Sequence, residues 1–419
     1  MSESAAPTAP GTTEQDGKVV ESESPTPVKE MKSLVLTGFG GIKMLKVLQN
    51  PEPTVSETEV LIRVKAGGLN FPDLMVRQGV IENPPKTPII MGFECSGVIE
   101  ALGENTTGLN VGDRVIGFSD YKCWAELVAI PAKYVYKMPD NMSFHEGASF
   151  PMNFATAYIL LFDIANLRKG QSLLLHAVAG GVGTAICQLC KTVEDVTVFG
   201  TASAGKHDSV RDNLTHIYDH ATDYCQEVRK VFPQGVDIVL DCLCGDDTNR
   251  GISLLKPMGK YILYGEITLY HRWWQVDKVS PIKLFDENKV IGGFQLRRLL
   301  FQQGQDGYVR DIMNKLMKLY KDKKIKPTID SAWAFEDAGD AMQKIQDRKN
   351  IGKIILDPTA QPKPRPKVSI NYIVNCCLSR TSRTTQQLCF EFTLYGVSPP
   401  SLAQSEQNVK PHFIVCVFK

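Results

Sequence analysis

The pattern of apolar and polar positions changes character several times along the 419-residue chain. Residues 1–30 hold almost no large apolar side chains. Ser, Pro, Thr and Glu dominate there, with six acidic residues against two basic ones. Such a stretch buries too little apolar surface to offset its ordering entropy, which predicts a disordered tail. Between Met31 and residue 150, short apolar runs bounded by Gly, Pro and Asn follow one another. KSLVLTGF, EVLIRVKAGGLN, ECSGVIEALG, DRVIGF and AELVAIPA are of this kind, and together they predict a compact β domain.

Near Ser149 the rhythm changes. ATAYILLFDIANL reads as a helix, SLLLHAV as a strand, a glycine cluster as a turn, and GTAICQLCKTV as a helix. Strands VTVFGTA, HIYDH, VDIVLDCL and KYILYG then alternate with helices KHDSVRDNL, DYCQEVRKVF and TNRGISLLKP. Apolar strands alternating with helices predict a doubly wound parallel sheet, the α/β class, over 151–296. Two amphipathic helices, DGYVRDIMNKLMKLYKDKK and AFEDAGDAMQKIQDR, precede a last strand, NIGKIILD. Residues 297–357 are expected to return to the β domain. Residues 358–419 open on the linker PTAQPKPRPK and carry four of the eleven cysteines and seven bases against two acids. Without periodicity, they are expected to be irregular and disordered.

Composition narrows the function. An apolar share of 43%, a charged share of 22% and a net charge of +1 describe a globular protein with no basic excess for nucleic acid. No apolar run reaches the ~18 residues of a membrane span. The start, MSESAAPTAPGTTEQDGK, lacks the basic and apolar regions of a secretory signal. The scattered cysteines suit free thiols in a reducing compartment. A cytoplasmic, two-domain protein is expected.

The chemistry is expected at Val178-Ala179-Gly180-Gly181-Val182-Gly183, between a strand and a helix. A side chain at Gly180 or Gly181 would hold backbone away from a pyrophosphate, and Gly183 allows close helix–strand packing. The helix N-terminus then offers N–H groups and positive dipole to the anion. Val178 breaks the simple G-x-G-x-x-G pattern, so the strand–turn–helix setting carries the reading. An NAD site wants an acid near residue 201, for the ribose hydroxyl. FGTASAGKH instead has Thr201, Ser203 and Lys206, a hydroxyl and a cation suited to a 2′-phosphate. NADPH is the expected cofactor.

AGGLNFPDLMVRQG, MGFECSGVIEALG, VGDRVIGF, AVAGGVG, FGTASAGKH and GVDIVLDCL, in this order, resemble the zinc-free quinone-oxidoreductase branch of the medium-chain dehydrogenases/reductases. VTVFGTAS, LLKPMGKYILYG, IKPTIDSAWAFEDAGDAMQ and NIGKIIL are similar to the vesicle amine transport protein homologue family. The likeness covers about residues 31–357. It implies a GroES-like β domain joined to a Rossmann domain, with the site in the cleft between them.

The same resemblance implies that no zinc is used. Zinc-dependent relatives use two Cys and a His-Glu pair; here GLNFPDL and MNFATAY hold no Cys, and Phe93 replaces the His. Cys187 and Cys190 form a C-x-x-C inside a helix and read as packing. Hydride transfer to a quinone or another activated carbonyl or alkene is implied, with Asn70 and Thr156 beside the nicotinamide. Gly245, Gly265 and Phe294, Gln295 and Leu296 match segments that line the cofactor. His220 is implied on the adenosine side, with Asn350 and Lys353 as weaker cofactor contacts. Met75 stands where several relatives have Tyr, so no acid or base is evident. The loop after Gly265 is about ten residues shorter than in the relatives, and the tail after Pro364 does not look like theirs.

A second reading is a nucleotide-binding member working through peripheral contacts at vesicles or mitochondria. Arg310, Lys315, Lys318, Lys321, Lys323, Lys324 and Lys326 surround apolar Ile312, Leu316, Leu319 and Tyr320, and such a helix can sit on anionic lipid. A homodimer is expected, paired through the GFQL region.

Overall fold

A computed structural model describes residues 29–265 and 279–364, and the backbone of three strands further on. The tail before residue 29 and the loop after Gly265 lie outside the described residues. Six strands form a parallel sheet in the spatial order His216–Asp219, Thr197–Ala202, Ser172–Leu175, Val236–Asp241, Leu255–Leu263, Val290–Gly293. The central strands are buried on both faces, which explains their near-continuous apolar sequence. Strand order reverses between Ser172–Leu175 and Val236–Asp241. A ligand crevice is expected at their C-terminal ends.

The β domain is built on the long strand Glu59–Leu69, flanked by Glu94–Leu102 and Leu127–Pro131. The chain's return completes this sheet. Lys353–Leu356 pairs antiparallel with the end of the long strand, Ile354 opposite Leu69, and Ile329–Trp333 lies outside it. The helix Ala338–Gln346 buries Ala338, Ala341 and Met342 against Leu34, Leu36 and Phe335 of the same domain.

The long helix Asp306–Lys321 packs beside the parallel sheet. Its apolar stripe, including Val309, Ile312, Met313 and Leu316, is spent in the core shared with the parallel sheet. The lysines lie on its solvated face. Among the described residues no helix is long and apolar enough to cross a membrane. Cys187 and Cys190 are buried in the helix Gly181–Cys190, and burial pushes the Cys187 thiol up to about 12.

The segment from Lys363 onward forms a unit of its own. It was expected to be irregular; instead Val374–Ser379, Gln387–Phe392 and Ile414–Cys416 pair antiparallel. VNCCLS and QLCFEF are short β-forming runs that a search for long-range periodicity passes over.

Candidate active site

The helix Gly181–Cys190 starts directly under the glycine turn, with Gly180 as its extended N-cap. A Cβ on Gly183 would lie 2.5 Å from the Ala177 carbonyl and 2.7 Å from Val178 Cα, so only glycine lets helix and strand meet. At Gly181 a Cβ would also meet the Asn153 side chain at 2.5 Å. Gly352 donates to the Ala179 carbonyl at 2.8 Å, which ties the last strand's lead-in to the turn. The first helical N–H groups face a cleft of about 1040 Å³ between the two domains.

At the end of the second parallel strand, Thr201, Ser203, Lys206, His220 and Asn350 line one arm of this cleft, beside Ala179 to Gly183. Lys206 is not a solvated cation. Its Nζ donates to the Asn350 carbonyl at 2.8 Å, and partial burial lowers its pKa. Ser203 opens a 3-10 turn without a side-chain capping bond, so its hydroxyl is not spent on that turn. The missing acid has a counterpart in space. Asp219, from the neighbouring strand, accepts from the Ala204 N–H at 3.2 Å and the Ala221 N–H at 3.0 Å. Both of its oxygens are thus engaged by backbone. His176 closes the floor: Nδ1 meets Thr201 Oγ1 at 2.9 Å, and burial lowers its pKa.

The other arm holds a buried charged cluster, of which sequence reasoning named Asn70 and Lys353 but missed Glu94 and Asp73. Lys353 and Glu94 are almost fully buried and form an ion pair. Glu94 Oε1 also accepts from Asn70 Nδ2 at 2.7 Å, and Oε2 accepts from the Met152 N–H at 2.8 Å. Its charge therefore sits at the N-terminus of the helical stretch 151–164, where the helix dipole favours an anion. Asn70 Oδ1 in turn accepts from Lys353 Nζ at 2.5 Å. Lys353, expected only as a weaker cofactor contact, is thus an interior lysine. Asp73, one turn into the helix that Asn70 caps, accepts from the Asn70 N–H at 2.8 Å. Burial pushes its carboxyl up to about 8, while Lys353 pulls the other way. Asp73 Oδ1 has no hydrogen-bond partner among the described residues.

Thr156 lines the cleft from the same helical stretch, which is wound partly as π-helix on both sides of it. Gly265, Phe294, Gln295 and Leu296 line it as well. Gly245 does not. It caps the helix Asp246–Leu254 in a conformation with φ of 70°, so its glycine serves the turn after the strand. Two arginines at the cleft mouth were not foreseen: Arg297 pairs with Asp120 at 2.7 Å, and Arg298 pairs with Glu82. Each joins residues about 200 positions apart, so spacing offers no sign of them. Among the described residues, no three His, Cys, Asp or Glu side chains gather as metal ligands.

Residues 56–140 match the alcohol dehydrogenase GroES-like domain, and residues 214–356 match the family described as zinc-binding dehydrogenase. The human synaptic vesicle membrane protein VAT-1 homolog-like is 55% identical over 347 residues, covering 80% of this chain and 83% of that protein. Its crystal structure agrees with a TM-score of 0.74 at 54% identity, over 80% of this chain and 99% of that one. A mycobacterial protein solved with NADPH gives 0.71 at 27% identity, over 78% and 100%. A quinone oxidoreductase of Pseudomonas syringae gives 0.71 at 25% identity, over 78% and 100%. The chain belongs to the VAT-1 homolog-like family of medium-chain dehydrogenases/reductases, with a GroES-like domain on a Rossmann domain.

Proposed function

We propose that this chain is a metal-independent oxidoreductase that uses NADPH to reduce quinones or other activated carbonyls and alkenes. The observation that carries the reading is the second-strand arm of the cleft. Lys206 is held there by the Asn350 carbonyl, Ser203 is beside it, and the nearest strand-end acid is tied up by backbone N–H groups. That arm suits a 2′-phosphate, and the glycine turn suits a pyrophosphate. When bound, NADPH supplies a hydride and its electron pair. Asn70 and Thr156 would orient the nicotinamide end, while Phe71, Met75, Ile81 and Leu296 exclude water from an apolar acceptor.

Zinc does not fit this donor set. Glu94 is engaged by an ammonium and a backbone N–H, and Asn70 and Phe93 stand where relatives present ligands. No step is routed through a metal. The peripheral-membrane reading draws support from the relative's name and from the exposed lysines of Asp306–Lys321, whose apolar stripe is buried, so contact there would be electrostatic. A cytoplasmic location accords with the free cysteines.

Fluorescence titration of the full chain with NADPH and NADH, repeated on Lys206→Glu, tests the cofactor assignment. NADPH should bind more tightly than NADH, and the substitution should cost roughly 10- to 100-fold in NADPH affinity alone. Equal affinity for both cofactors, untouched by the substitution, would overturn the NADPH reading.

A further inference from the structure

Lys353 has no task in the hydride chemistry described above. A lysine ammonium carries three N–H donors. Asn70 Oδ1 and Glu94 Oε1 take two, and Lys353 is itself part of the cleft wall, next to Asn70. Stability does not explain the pair, because apolar residues of similar volume commonly replace a buried ion pair at no cost. The neighbouring charged group is Asp73, buried in the helix that Asn70 caps, and its carboxyl is acted on by Lys353, Glu94 and Arg297. The arrangement is a fixed cation whose third donor has no partner among the described residues, at the end of the cleft where Asn70 and Thr156 lie.

We propose that Lys353, held by Glu94 and Asn70, forms an oxyanion site that takes the carbonyl oxygen of a conjugated acceptor. The inference rests on the hydride-transfer reading. In that reduction the hydride forms a C–H bond at the electrophilic carbon, using the electron pair it brings from the reduced nicotinamide. The acceptor's conjugated π electrons move to oxygen, which carries one negative charge until a solvent proton neutralises it. The remaining Lys353 N–H hydrogen-bonds that oxygen, and the charge stabilises the oxyanion more than the neutral carbonyl. The site therefore replaces the Tyr that Met75 displaced and the metal that the donor set does not hold. It selects acceptors whose electrons end on an oxygen.

The test reads binding rather than turnover, using 4-nitrophenol, whose ionised and neutral forms absorb differently. Its absorbance is titrated against pH with the full chain as wild type, Lys353→Met, and Lys353→Met/Glu94→Gln. The double variant removes the Glu94 charge together with its ammonium partner, so it guards against misfolding of the single one. Wild type should lower the bound phenol's midpoint by about one pH unit relative to the free phenol. Both variants should abolish that shift, and Lys206→Glu should retain it. No shift in wild type, or a shift lost in Lys206→Glu but kept without Lys353, would overturn the proposal. NADPH failing to bind would sink the cofactor reading and leave this measurement standing, since the phenol needs no cofactor.

Discussion

At the scale of single residues, Asp73 makes the most distinctive prediction. Its carboxyl has an ordinary value of 3.8 and is pushed up to about 8 by burial, so the folded chain holds this proton more tightly than the unfolded one. The contribution to stability is full below about 3.8 and is lost as pH rises through about 8. Asp73→Asn cannot ionise. Denaturant midpoints measured from pH 6 to 9 should fall for wild type and stay nearly level for the variant, a difference on the order of a few kcal/mol at pH 9. Parallel profiles would show that Asp73 is not carrying the proton. His176 acts in the opposite direction. Burial lowers its pKa, so its contribution is full above 6.5 and declines as pH drops below that value. None of this was visible in the sequence. The sequence does not single out Asp73, and it marks Lys353 only as a weaker cofactor contact. Burial of each is decided by partners such as Glu94, 259 positions from Lys353.

At the scale of elements, the glycine pair ending the strand Glu59–Leu69 shows how backbone makes room for chemistry. Trp124 packs where a Cβ on Gly67 would be, 2.8 Å away. The Glu94 carboxylate and the Ala148 carbonyl fill the corresponding space at Gly68, 2.4 and 2.5 Å away. Gly68→Ala should therefore lower stability by about 1–3 kcal/mol in urea unfolding. Gly41→Ala, with open space at its Cβ, should change it by less than about 0.5 kcal/mol. Equal effects would mean the carboxylate yields to the methyl group. The alternating strands and helices were legible because apolar periodicity is local, and the turn 178–183 because its glycines answer local sterics. The second constraint on Gly181 was not, since it comes from the side chain of Asn153. Gly245 looked like a cleft residue by likeness alone, and only the backbone shows it serving a helix cap.

At the scale of the whole molecule, the parallel sheet ends on Val290–Gly293, which has one neighbour among the described residues. Val290 and Ile291 on it, with Ile282 and Phe285 on the adjoining helix Pro281–Asp286, are exposed apolar residues. An unpaired edge with an apolar margin invites a second strand. We propose that two copies of the chain pair there. Sedimentation equilibrium should find a dimer for wild type and a monomer for Phe285→Glu/Ile291→Lys. A wild-type monomer would sink the idea. The two-domain plan and the chain's return were readable from the order of segments, whereas the ion pairs closing the cleft mouth were not. Arg297–Asp120 and Arg298–Glu82 depend on how the two domains face each other.

The return of the chain also has a consequence for its birth on the ribosome. The edge at 67–69 and the carboxylate of Glu94 wait for Lys353–Leu356, which is made last among the elements of the site. At about 5–20 residues per second, the intervening stretch takes roughly 15–60 s to synthesise. For that interval the nascent β domain carries an unmatched anion and an open strand edge. A transcript ending before codon 353 would fix it permanently in that state, as a client for quality control.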